Sequence, residues 1–118
     1  PLYSSAASDV YKRQALGTPV SEFVVGLFGF FRKAYQENQG FDNPPVHDPC
    51  TIAYLIDPDI VQTRKAPVHV ELAGALTTGM TVTDLREPAD ASCHTQVATT
   101  LDHAGFWRLV TDALKNLG

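Results

Sequence analysis

Between Val20 and Ala34 the apolar positions fall at helical spacing: Phe23, Leu27 and Phe31 carry the stripe, with Val20, Val24, Phe28 and Ala34 beside it. Thr18 is placed to cap this segment, Pro19 suits a first helical position, and Glu22 lies near the positive end of the dipole. A helix is therefore expected from there to about Asn38. Gly26 and Gly29 each weaken such a helix by roughly 1 kcal/mol relative to alanine, which close packing against a neighbouring element would explain. The stripe reads as core. Phe30, Phe31 and Tyr35 lie near the carboxyl end, beside a polar loop, where a large aromatic can line a pocket as well as fill a core.

After Gly40 the pattern shortens. In "PCTIAYLID" Asp48 is placed as an N-cap, Pro49 as the first helical residue, and Ile52, Leu55 and Ile56 as the buried face, ending near Asp57 before Pro58. "PDIVQTRKAP" reads as a linker. "VHVEL" alternates strictly, with Val68, Val70 and Leu72 on one face and His69 and Glu71 on the other, and "TTGMTVTDL" reads as a second strand. Together they predict an antiparallel hairpin around Gly74. "REPADAS" is a loop and "TQVATTL" a third short strand. Asp102 then caps a final helix whose apolar stripe is Phe106, Leu109, Val110, Ala113, Leu114 and Leu117, with Gly118 beyond its end. No internal repeat or low-complexity tract interrupts this order.

Composition adds exclusions more than assignments. The chain has 118 residues, 44% of them hydrophobic and 19% charged, and a formal charge of −4, which describes an ordinary globular chain of at most one small domain. It lacks the clustered lysine and arginine that would neutralise phosphates, so neither nucleic acid nor an anionic membrane is an expected partner. The longest apolar run, "FVVGLFGFF", is far shorter than the roughly 20 residues that cross a bilayer. Two cysteines, Cys50 and Cys93, form neither a disulfide framework nor a CxxC metal site. A reducing, cytoplasmic setting with free thiols is expected, a single disulfide between them being the alternative.

The first fourteen residues stand apart. "SSAASDVYKRQ" resembles the in-frame translation of a sequencing-library adapter, and it has no basic segment followed by an apolar one as a signal peptide would. Residues 1–14 are accordingly expected to be an artefact, residues 15–118 to be the protein proper, and the gene to continue upstream of Ala15.

The chemistry concentrates in "DNPPVHDPC", Asp42 to Cys50. On spacing alone two readings stand. Asp48 can be an N-cap worth about 1 kcal/mol and His47 a hydrogen-bonded loop histidine. Alternatively, the rigid "PPVHDP" frame aims adjacent side chains in different directions, so that one holds a metal while the other faces a substrate. Cys50, in the first turn of a helix, raises a Cys–His nucleophilic pair as a rival, though a helical turn aims it inward. Zinc held by His47, Asp48, Cys50, Cys93 and His94 has no support in the spacing. His69 falls on the polar strand face and reads as solvated; His94 and His103 suggest no role.

Three strings, "NPPVHDPCTIAYLIDPDI", "VHVELAGALTTGMTVTDLR" and "VATTLDHAGFWRLVTDAL", closely resemble the carboxyl-terminal third of the inosine-uridine preferring nucleoside hydrolases. The resemblance runs from Leu16 to Gly118. It implies an α/β fold, here the carboxyl-terminal fragment of an open mixed sheet flanked by helices. It also implies hydrolysis of the N-glycosidic bond of a ribonucleoside such as inosine or uridine, with Ca²⁺ bound at the sheet edge. Asp48 matches the aspartate that ligates calcium, and His47 the histidine that protonates the departing base. Tyr35 and Phe31 fall where the family contacts that base. Full-length members commonly form homodimers or homotetramers. The family's amino-terminal "DxDxxxDD" run, which carries the other calcium ligands and the water-activating aspartate, does not occur here, so the chain alone is expected to be inactive. Two other readings remain: a noncatalytic structural or interaction fragment, and a hydrolase of another ribosyl compound.

Overall fold

The computed structural model describes residues 16–40 and 45–118. The expected boundary at residue 14, and Asp42 to Pro44 of the proline-rich segment, lie outside the described residues. The chain divides into two compact units: Val61–Thr100 forms one, and the segments before and after it form the other.

The helical unit contains α1 (Pro19–Gln39), α2 (Asp48–Ile56), a single 3₁₀ turn (Pro58–Ile60) and α3 (His103–Leu117). α1 begins with a reciprocal capping box: Ser21 N–H donates to Thr18 Oγ1 at 3.2 Å, and Thr18 N–H donates to Ser21 Oγ at 3.0 Å. The Ser21 hydroxyl also donates to the Thr18 carbonyl at 2.8 Å, so this fully buried polar side chain is satisfied. At the other end Gly40 takes a left-handed conformation, φ 70°, and returns its N–H to Gln36 O.

α3 supplies the densest packing of this unit. Phe106 is completely buried and meets Trp107 edge to face with ring centroids 4.9 Å apart; Phe28 of α1 meets the same indole at 6.3 Å. The Trp107 indole N–H donates to His103 Nε2 at 2.9 Å, giving a histidine for which the sequence suggested no role a structural one. Asp102 caps α3 as expected, its Oδ1 accepting from Gly105 N–H at 3.0 Å. A Cβ at position 105 would lie 2.5 Å from the Asp102 carboxylate and 3.2 Å from Ile60 Cγ2, so the first turn closes this tightly only around glycine. Asp102→Ala should therefore lower stability by about 0.5–2 kcal/mol, read from the midpoint of urea unfolding.

The other unit holds four strands. β2 (Val68–Val70) pairs antiparallel with β3 (Thr81–Thr83), Val68 facing Thr83, His69 facing Val82 and Val70 facing Thr81. This is the hairpin expected around Gly74, with shorter strands. Glu71 organises its connection: its Oε1 accepts from Ala73 N–H at 2.8 Å and Gly74 N–H at 3.0 Å, and these bonds hold the carboxyl below its ordinary range. Beyond β3, Arg86 donates from Nε and Nη2 to the two Asp84 oxygens at 2.9 and 2.6 Å, which depresses the Asp84 carboxyl strongly.

β1 (Val61–Lys65) pairs with β4 (Gln96–Leu101). Backbone bonds from Asp102 N–H to Ile60 O and from Ala66 N–H to Thr95 O set the start of one strand beside the end of the other, an antiparallel order. β4 is the strand expected there, but β1 corrects the reading of this segment as a linker. Arg64 and Lys65 hide the alternation that would reveal a strand, because β1 exposes all but its first residue.

Three expected burials fail. Ile52, Leu55 and Ile56, assigned to the buried face of α2, are all exposed, and Ala53 alone of that helix is buried. Phe23, Leu27 and Phe31 of the α1 stripe are exposed as well, and a Cβ on Gly26 or Gly29 would meet nothing within 4 Å. Val70 and Leu72 of the hairpin are likewise open. Helical or strand periodicity identifies an apolar face; burial needs another segment against it.

Candidate functional site

The proline-rich segment meets α1 at a cavity of about 310 Å³ lined by Leu27, Phe28, Phe31, Tyr35, Pro45, Val46, His47, Asp48 and Pro49. All four residues singled out from the sequence, Phe31, Tyr35, His47 and Asp48, are on its walls. Two elements bring them there. Phe28, Phe31 and Tyr35 follow one another at i, i+3 and i+7 along α1, a single helical face. Opposite them Pro45 and Pro49 bracket Val46, His47 and Asp48 at the entry to α2.

The entry to α2 departs from expectation. Asp48 is the first residue of the helix rather than its cap, and the N-cap position falls to His47, whose side chain makes no capping bond. The reason is local. His47 already has helical angles, φ −89° and ψ −50°, so the chain turns one residue early. Cys50 N–H, which a capping Asp48 carboxylate would take, donates instead to the His47 carbonyl at 3.0 Å. Pro49, at the second helical position, has no N–H to offer, which is harmless among the unpaired donors of a first turn.

The consequence is chemical. Both side chains are exposed, and among the described residues neither the His47 imidazole nor the Asp48 carboxylate has a hydrogen bond or ion pair. A free carboxylate is an oxygen donor suited to a hard cation, and an imidazole can donate or accept a proton. The aromatic wall from α1 presents apolar faces and one phenol, suited to a flat heterocycle.

Cys50 does not join this chemistry. Its thiol donates to the Val46 carbonyl at 3.0 Å, tying the two ends of the segment, and burial pushes its pKa up, away from the thiolate a nucleophile needs. Cys50 and Cys93 are both free thiols. Among the described residues no three His, Cys, Asp or Glu side chains are grouped to hold a metal ion. No described helix is long and apolar enough to cross a membrane.

Leu27, Phe28, Pro45, Val46 and Pro49 also line the cavity without having been singled out as site residues. The helical spacing that relates Phe28 to Phe31 and Tyr35 was the available signal. Nothing in the sequence marks the contribution of Pro45 and Val46, since facing α1 is a tertiary relation.

Comparison with known proteins bears on this arrangement. The family profile described as inosine-uridine preferring nucleoside hydrolase matches residues 3–108. An enzyme of that description from Crithidia fasciculata is 46% identical over 101 residues, which make up 86% of this chain and 32% of the relative. Its counterpart from Leishmania major is 46% identical over 114 residues, 96% of this chain and 36% of the relative. The solved structure of a purine-preferring ribonucleoside hydrolase from Gardnerella vaginalis superposes with a TM-score of 0.73 at 24% identity, over 92% of this chain and 36% of that one. The chain thus spans about a third of the length of the relatives it matches.

Proposed function

Because the chain belongs to the inosine-uridine preferring nucleoside hydrolase family, we propose that it carries the leaving-base side of an active site that hydrolyses the N-glycosidic bond of a ribonucleoside. The observation that carries this reading is the cavity that gathers His47, Asp48, Tyr35 and Phe31 from two separate segments.

In this reading the base lies against the aromatic face of Phe31 and Tyr35. As the ribosyl C–N bond breaks, its electron pair leaves with the base nitrogen and oxocarbenium character grows on the sugar. His47 donates a proton to the departing base, so that a neutral molecule leaves. Water adds its hydroxyl to the anomeric carbon and releases its other proton to a base outside this cavity, giving ribose and free base. His47 begins this cycle protonated and ends it neutral, and solvent access at its exposed position lets it regain the proton. Asp48 is the side chain that would hold Ca²⁺, an ion that when bound would orient ribose hydroxyls and lower the pKa of a bound water.

Calcium takes about 6–8 oxygen ligands and Asp48 offers at most two, so the site needs carboxylates that the described residues do not group around it. Negligible turnover by the 118-residue chain is accordingly expected. A chimera settles both points: residues 16–118 replace the matching third of the Leishmania major enzyme, and release of free base from inosine and uridine is followed with and without a chelator. The expected result is hydrolysis by the chimera, lost on chelation and restored by Ca²⁺, with none from the chain alone. A soluble, folded chimera without activity on either nucleoside would defeat the proposal. Hydrolysis by the isolated chain would defeat the claim that its site is partial.

A further inference from the structure

The aromatic wall of the cavity is braced from behind. Phe28 is half-buried: it lines the cavity with Phe31 and Tyr35, and its ring also meets the Trp107 indole of α3 edge to face at 6.3 Å. Trp107 is buried and touches Phe106 as well, at 4.9 Å. One turn back along α3, half-buried His103 meets the same indole edge to face at 6.1 Å and accepts its N–H at Nε2, 2.9 Å away. An indole nitrogen only donates, so Nε2 faces it with a lone pair. The last side-chain torsion of an aromatic residue has a broad preference that ring contacts narrow only in part. A directional hydrogen bond from a ring atom selects one orientation.

We propose that His103 is a positioning residue for this cavity: by accepting the Trp107 N–H it fixes the indole on which Phe28 rests, and so holds the aromatic wall in place across from His47. The inference rests on the proposed hydrolysis and adds to it a residue that does not itself line the cavity. The relay runs from His103 through Trp107 to Phe28, with no gap between successive rings. A wall that holds the base equally well before and during bond breaking acts on KM rather than on kcat. His103 therefore differs from His47, whose proton is needed only as the base departs.

The test measures KM and kcat of the chimera on inosine or uridine, whichever it turns over faster. His103→Leu, which has no acceptor, should raise KM about 3–10-fold, the range set by one net hydrogen bond, with kcat held within about twofold. His103→Gln, whose amide oxygen reaches about as far as Nε2, should restore the parent KM. In a Phe28→Leu background His103→Leu should raise KM by no more than about a further twofold, because the ring through which it acts is gone. A role confined to stability would lower the amount of folded enzyme and leave KM unmoved. Should His103→Leu fail to fold, His103→Asn, whose shorter amide stops short of the indole, takes its place with the same expectation. In the 118-residue chain, whose one tryptophan is Trp107, the indole N–H proton resonance should move upfield in His103→Leu and return in His103→Gln. An unchanged resonance overturns the proposal, as do effects of His103→Leu and Phe28→Leu that simply multiply. An active chimera whose KM ignores His103→Leu overturns the positioning role alone, whereas a folded chimera inactive on both nucleosides removes the proposed function and this role with it.

Discussion

In the chimeric enzyme, His47→Ala lowers kcat on inosine by about 10²–10⁴-fold, the usual contribution of a positioned general acid, while leaving the unfolding midpoint within about 0.5 kcal/mol of the parent. The two expectations share a structural reason. His47 occupies the N-cap position of α2 without making a capping bond and is exposed to solvent, so little of the fold depends on its imidazole. Loss of turnover then reports chemistry rather than unfolding. The deficit should shrink for nucleosides whose bases leave readily without a proton, because only the assistance to departure has been removed. Asp48→Ala, at a carboxylate with no partner among the described residues, should instead raise the Ca²⁺ concentration needed for half-maximal activity. Turnover of inosine unchanged by His47→Ala would take the histidine out of the mechanism.

Phe106→Ala costs about 3–5 kcal/mol, enough to abolish most of the cooperative transition of a small unit. Its ring is wholly buried against Trp107, which in turn meets Phe28 of α1, so truncation opens a cavity where α1 and α3 share their aromatic packing. Phe23→Ala removes a ring of the same size from a position 71% exposed and should change the stability of the isolated chain by no more than about 0.5 kcal/mol. Urea unfolding followed by circular dichroism compares them directly. Equal effects would mean that the aromatic packing of α3 is not where stability resides.

Both predictions depend on how far local pattern reached. Thr18 and Asp102 begin helices where the sequence placed their caps, because each acts on backbone groups within four residues of itself. The hairpin about Gly74 was legible for the same reason. β1 was not, since Gln62 to Lys65 stay exposed and show no alternation, and only pairing with β4, some 35 residues onward, makes the segment a strand. The cap of α2 was misread by one residue, because an aspartate before a proline satisfies the same local preferences as N-cap or as first helical residue.

Composition and order of side chains by themselves determined which segments are helices, where most of them stop, which faces are apolar, and that His47 and Asp48 leave a rigid backbone side by side. Only the tertiary structure decided that Phe31 and Tyr35 stand across a cavity from that pair, that both polar side chains lack partners among the described residues, and that the apolar face of α2 is exposed. Caps and periodicity act over one turn of chain, whereas burial and the convergence of a site require segments far apart in sequence to meet, which no local pattern specifies.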